Sequence, residues 1–132
     1  MHCLDASALI DYLHGVPEIG DFIRDHQREP LFAPTIALHE TFVGAARTRG
    51  DAGVERARDD LDWVEPVALS VGAAAEAARI DAELHDSGTA IGSLDTLIAG
   101  VVRDAGGSIV TRDDHFERVD GLTVVRYDVD SA

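Results

Sequence analysis

Four acids stand at positions where an acid is costly. Asp5 stops the short apolar run that begins at Met1, and helical spacing through Leu9, Ile10 and Leu13 follows it. Glu40 comes four residues after Ile36 and three before Val43, so it falls on the apolar stripe of a helix. Asp95 precedes Ile98 by three residues and Val102 by seven, again on an inward face. Asp113 lies just beyond the compact apolar run Ser108-Ile109-Val110. Carboxylates gathered in one place raise one another's pKa and cannot all ionise without a countercharge. The chain has no Lys to supply one. A hard divalent cation, Mg²⁺ or Mn²⁺, prefers oxygen ligands and keeps several waters, which suits it to hydrolysis by activated water.

Each acid also has a plainer reading. Asp5 and Asp95 can act as helix N-caps, Glu40 can pair with Arg47 further along its helix, and Asp113 can be a turn residue. The joint pattern carries more weight than its parts. Three of the four follow a strand or open a helix, and together they can meet at one end of a parallel sheet, with Glu40 entering from a facing helix.

The elements that must place them are legible as alternating short apolar runs and helical periods. A first strand with no polar face reads as the centre of a parallel sheet. Residues 6–13 read as a helix capped by Asp5 or Ser7, and a second helical segment after Pro17 carries Ile19, Phe22 and Ile23. Leu31-Phe32-Ala33 is a short strand ending at Pro34. A helix from Thr35 closes around Gly50, and 51–62 is a further polar helical segment. A short strand is expected around Glu65-Pro66, then helices over 71–86 and 93–105, strands over 108–110 and 122–125, and a frayed acidic tail over 128–132. The pattern predicts one domain, 1–132, built as a three-layer α/β/α sandwich on a mostly parallel sheet of about five strands.

Composition sets outer bounds. There are 25 acids against 11 bases, every base is Arg, and the formal net charge is −14. Such a chain repels itself and other polyanions, a repulsion that fades in concentrated salt, where the Debye length falls to about 3 Å at 1 M. The acid-rich, Lys-free composition therefore looks like adaptation to a salty cytoplasm. No apolar run approaches the roughly 20 residues of a membrane span, no secretory core is visible near Asp5 and Asp11, and the single Cys3 excludes an internal disulfide. A cytoplasmic location is expected.

Other motifs fail on inspection. His39-Glu40 lacks the second His that a zinc-protease motif needs four residues on, where Val43 stands. No Gly-rich phosphate loop with a Lys exists, and a phosphoaspartate site would also call for a Lys. His2, His14, His26, His85 and His115 show no metal spacing and read as solvated or satisfied side chains.

The quoted stretches, taken in order, resemble a known family. They are Asp5-Ala6-Ser7, Thr35 to Gly44 around Glu40, Ile91-Gly92-Ser93-Leu94-Asp95-Thr96-Leu97-Ile98-Ala99, Val110-Thr111-Arg112-Asp113-Asp114-His115-Phe116 and Val119 to Val124. This succession resembles the PIN-domain ribonucleases, specifically the VapC-like toxins of type II toxin–antitoxin pairs, over nearly the whole chain. The resemblance implies a five-stranded parallel sheet and an acidic pocket holding one or two Mg²⁺ or Mn²⁺ ions through Asp5, Glu40, Asp95 and Asp113. It also implies supporting hydroxyls from Ser7 and Thr111, RNA cleavage to 5′-phosphate and 3′-hydroxyl ends, a small antitoxin partner and a homodimer. Ala6 replaces a Thr frequent in the family. Asp114 competes with Asp113 for the fourth position, and Asp113 is favoured because it stands two residues after Thr111.

RNA binding by so acidic a chain must rely on few cations. Arg47, Arg49 and Arg112, with Arg79 beside them, are the candidates near the expected pocket. Two other classes of function stay open at this level: a PIN-like module kept only to bind a partner, and a metal-dependent phosphatase or DNA-directed nuclease using the same acids.

Overall fold

The computed structural model describes residues 1–128. Its five strands form one wholly parallel sheet in the order β3-β2-β1-β4-β5, with β1 at His2–Leu4, β2 at Leu31–Pro34, β3 at Glu65–Val67, β4 at Ser108–Thr111 and β5 at Thr123–Arg126. The first strand is central, as its lack of a polar face predicts. Cys3 and Leu4 are fully buried between β2 and β4, with Cys3 opposite both Phe32 and Ile109. Pro66 sits in β3, an edge strand, where its missing N–H costs no ladder bond on the open side.

Five helices connect the strands: α1 at Ala6–Leu13, α2 at Pro17–Asp25, α3 at Thr35–Asp60, α4 at Val71–Asp86 and α5 at Ser93–Asp104. The connections from β1 to β2 and β3 run one way along the sheet and carry α1, α2 and α3, and the return from β3 to β4 carries α4 and α5. The right-handed rule for such crossovers therefore assigns the two groups to opposite faces. The expected three-layer α/β/α sandwich is the observed one. Its core joins Leu4, Leu9, Ile19, Ile80, Ile98, Ile109, Val110 and Phe116 into one apolar cluster.

Local chemistry explains the helix boundaries. Asp5 ends β1 and caps α1 by accepting the Ala8 N–H at 2.9 Å, while Pro17 opens α2 and Ser70 caps α4 through the Ala73 N–H at 3.0 Å. The segments expected as 35–50 and 51–62 run on from one another as α3, with a sharp break at Gly50, whose φ of 64° suits a residue without a Cβ. Gly92, without a capping side chain, precedes α5, so Asp95 lies in the first turn and does not cap it. A short 3-10 turn over Asp114–Arg118, absent from the sequence reading, follows Asp113. The expected frayed tail lies outside the described residues from position 129 onward.

The strand order reverses between β1 and β4. Successive connections from β1 run outward through β2 to β3, then return across the sheet to β4 and β5. The crevice outside the carboxyl ends at such a reversal is where open α/β sheets bind ligands. Asp5 follows β1 directly, and Thr111 is the last residue of β4.

Candidate acidic active site

Asp5 is 2% exposed, and both its carboxylate oxygens are engaged. Oδ1 accepts the Ser7 hydroxyl at 2.6 Å and the Ala8 N–H at 2.9 Å, while Oδ2 accepts the Thr111 hydroxyl at 2.6 Å. The Asp5 N–H in turn donates to the Val110 carbonyl at 3.1 Å, the last rung between the two central strands. Ser7 and Thr111, expected as supporting hydroxyls, are thus the groups that orient Asp5. Thr111 Oγ1 also accepts the Asp113 N–H at 2.9 Å, and Ser7 Oγ accepts the Arg112 N–H at 3.3 Å, fixing the loop beyond β4 against the start of α1.

Glu40 on α3 and Asp95 on α5 belong to two helices in contact with each other, and Glu40 feels the charges of Asp95 and Asp5. Glu40 Oε1 is buried and receives no hydrogen bond. Burial pushes the Asp5 carboxyl up to about 6 against the three donors that hold it down, and the charge of Asp113 adds to the rise. Glu40 is raised by burial and then by the charges of Asp95, Asp5 and Asp113. Asp95 is raised by burial and by Asp113, with His115 opposing. Each acid acts on its neighbours through low-dielectric protein, which is the signature of carboxylates brought together.

Of the two readings of His115, solvated or satisfied, the structure gives a paired side chain: its Nε2 lies 2.9 Å from Asp95 Oδ2, an ion-pair distance. The signal for it lay in the Thr-Arg-Asp-Asp-His-Phe run: Phe116 is fully buried, and the 3-10 turn that buries it carries His115 to the acids. As placed, no three His, Cys, Asp or Glu side chains among the described residues close on one chelating point. Asp5 is turned to its donors and Asp95 to His115, as expected of like charges that find other partners.

Asp113 is half-buried at the start of the 3-10 turn and bears on Asp5, Glu40 and Asp95, whereas Asp114 is exposed and bears on Arg126. The candidate cations separate. Arg112 pairs with Asp11 at 2.9 Å beside the acids, and Tyr127 donates to the same Asp11 oxygen at 2.6 Å. Neither Asp11 nor Tyr127 was singled out in the sequence, although Asp11 follows the buried Ser7 by one helical turn. Arg47 is exposed on α3, and Arg49 lines a different cavity of about 420 Å³ between α1 and α3. Arg79 pairs with Glu76 on α4 at 3.1 Å.

Fold and electrostatics together define a parallel α/β protein whose acids near the reversal point of its sheet feel one another's charge. The chain belongs to the PIN domain family, whose model matches residues 2–122. Solved structures of the same fold include a chain of VapBC2 from Rickettsia felis bound to a DNA fragment from their promoter, with TM-score 0.86, 17% identity, and coverage of 94% of this chain and 96% of that one. A chain of DNA-bound VapBC from Salmonella typhimurium gives TM-score 0.85 at 22% identity, covering 96% and 97%. A chain of VapBC-1 from nontypeable Haemophilus influenzae gives 0.83 at 17%, covering 97% and 98%. A comparison with curated proteins finds no match. Among the described residues no helix is long and apolar enough to cross a membrane.

Proposed function

We propose that this protein is a metal-dependent endoribonuclease, the toxin of a type II toxin–antitoxin pair. PIN domains are generally nucleases and typically use divalent metals. What supports the reading is that Asp5, Glu40, Asp95 and Asp113 feel one another's charge beside the sheet's reversal point, with Glu40 Oε1 buried and unpartnered among the described residues.

The donor chemistry suits Mg²⁺ or Mn²⁺, with four hard carboxylates that feel one another's charge and no Lys in the chain to neutralise them. Binding would have to draw these side chains together from their present partners. When bound, such an ion lowers the pKa of coordinated water and offsets charge on the scissile phosphate. The chain's own part is to hold its acids in place. Asp5 is fixed by Ser7, Thr111 and the Ala8 N–H, and Asp113 by the Thr111 hydroxyl on its backbone. Thr96 Oγ1 donates to the Gly92 carbonyl at 3.0 Å and steadies the turn carrying Asp95. The side chains act as ligands and orienting groups, and none of them has to attack phosphorus. The fold shared with chains of VapBC complexes supports an antitoxin as partner, and the family resemblance carries with it a homodimer working in the cytoplasm.

The test is cleavage of single-stranded RNA with Mg²⁺ or Mn²⁺, with EDTA, and with DNA and a phosphomonoester as comparison substrates. Asp5→Asn and Asp95→Asn should remain folded and lose cleavage. Full activity in both variants, or cleavage unaffected by EDTA, would place the chemistry elsewhere.

A further inference from the structure

Asp11 is a buried carboxylate that the chemistry above leaves unused. Its side chain is 12% exposed, and its Oδ2 accepts the Tyr127 hydroxyl at 2.6 Å and lies at an ion-pair distance of 2.9 Å from Arg112 Nε. The three residues come from α1, from just past β5 and from just past β4, so three separate parts of the chain close on one oxygen. The group adjoins the acidic crevice. The Arg112 N–H donates to Ser7 Oγ, the same hydroxyl that donates to Asp5, and the Arg112 guanidinium feels the charge of Asp113.

This arrangement grips Arg112 by one edge. Among the described residues Asp11 is its one carboxylate partner, met through Nε, and the side chain is 48% exposed. A guanidinium has five donors, so the terminal nitrogens remain for another anion, in the planar geometry that suits phosphate. Arg47 and Arg49 are also exposed, but no carboxylate among the described residues holds either of them. A cation immobilised before binding loses less side-chain entropy on contact than a free one. On a chain of net charge −14, a fixed guanidinium at the lip of an acidic crevice is the natural anchor for a polyanion.

We infer that Arg112, gripped by Asp11 and Tyr127, contacts an RNA phosphate next to the scissile one, and that Asp11 is a positioning residue for that contact. The inference rests on the RNA-cleaving reading. It differs from a purely architectural tie between β5 and α1 in what substitution does to RNA binding.

The experiment uses the full chain carrying Asp95→Asn, so that RNA stays intact. A short fluorescein-labelled single-stranded RNA of mixed sequence is titrated by anisotropy across a salt series. Adding Arg112→Gln should weaken Kd roughly tenfold or more, the loss of a charged hydrogen-bonded contact. It should also lower the slope of log K against log salt by about 0.7, the share of one phosphate contact on a single strand. Asp11→Asn gives the sharper result. Removing a negative charge from an acidic protein should tighten RNA binding if charge alone matters, whereas a positioning role predicts weaker binding. Tyr127→Phe, which deletes only a hydroxyl, should weaken binding in the same direction and covers the case in which Asp11→Asn fails to fold. Unchanged affinity and slope on Arg112→Gln, or tighter binding on Asp11→Asn, would overturn the inference and leave the cleavage reading standing. Failure of the Asp95→Asn chain to bind RNA at all would overturn both.

Discussion

Thr111 Oγ1 donates to Asp5 Oδ2 at 2.6 Å, joining residues 106 positions apart at the carboxyl ends of neighbouring strands β4 and β1. The same oxygen accepts the Asp113 N–H. One buried hydroxyl therefore orients one acid directly and a second through its backbone, and sheet pairing alone sets the distance between them. Thr111→Val keeps the shape and removes both bonds. It should cost about 1–3 kcal/mol in denaturant unfolding, the penalty for polar groups left without partners, and weaken Mn²⁺ binding measured by calorimetry. Thr111→Ser should keep metal affinity while losing about 1 kcal/mol of methyl packing. An equal loss of affinity in the Ser variant would assign the effect to the methyl group instead.

The crowded carboxylates make stability depend on pH in an unusual direction. The Asp5 carboxyl moves from 3.8 to about 6 on folding. Between those values the folded chain binds more protons than the unfolded one, so stability falls as pH rises through them. The shift corresponds to roughly 3 kcal/mol from Asp5 once pH is well above 6. Glu40 and Asp95 shift in the same direction, while Glu76 and Asp128, lowered by Arg partners at the surface, work in the opposite one. With EDTA present, the urea midpoint should be higher at about pH 5 than at about pH 7.5, and Mn²⁺ should close the gap. A midpoint that climbs steadily over that range without metal would contradict the account.

The acids were legible because each breaks a pattern: Glu40 an apolar stripe, Asp95 the inward face of α5, Asp5 and Asp113 the ends of apolar runs. Their periodicity also marked the helices, and β1 declared itself central by having no polar face. What stayed hidden depends on contacts between distant parts of the chain. Local pattern does not say that β4 neighbours β1, so the meeting of Tyr127 with Asp11 across 116 positions could not be read from spacing. His115 was hidden differently, since only the 3-10 turn after Asp113 decides that it faces Asp95. The N-cap reading was right for Asp5, which also lies in the crevice, and wrong for Asp95, because Gly92 takes that place with its backbone alone.

Packing of α4 on α5 supports the face of the sheet opposite α1 and gives a prediction independent of the chemistry. A Cβ at Gly100 would lie 2.6 Å from Ala77 Cβ and 2.8 Å from the Ala73 carbonyl oxygen. Gly→Ala inside a helix ordinarily gains about 1 kcal/mol. Overpacking against backbone costs more, typically about 1–3 kcal/mol and more where nothing can yield. Gly100→Ala should therefore lower the thermal midpoint, and a rise would show that the two helices can move apart without loss.

Asp113 and Asp114 are adjacent, identical in side chain and differently placed, which makes them a matched pair for testing the site. Asp113 is half-buried and its charge reaches Asp5, Glu40 and Asp95, while Asp114 is exposed and faces Arg126. Asp113→Asn preserves the backbone N–H bond to Thr111 and removes only the charge. It should weaken Mn²⁺ binding by roughly tenfold or more, as loss of a carboxylate close to a divalent ion does, and slow RNA cleavage at least as much. Asp114→Asn removes the same charge from the surface and should leave metal affinity within about twofold, because solvent and salt screen an exposed charge. Calorimetric Mn²⁺ titration of both variants at one ionic strength separates the two roles. A larger loss in Asp114→Asn would move the fourth acid one residue along the chain and the acidic site with it.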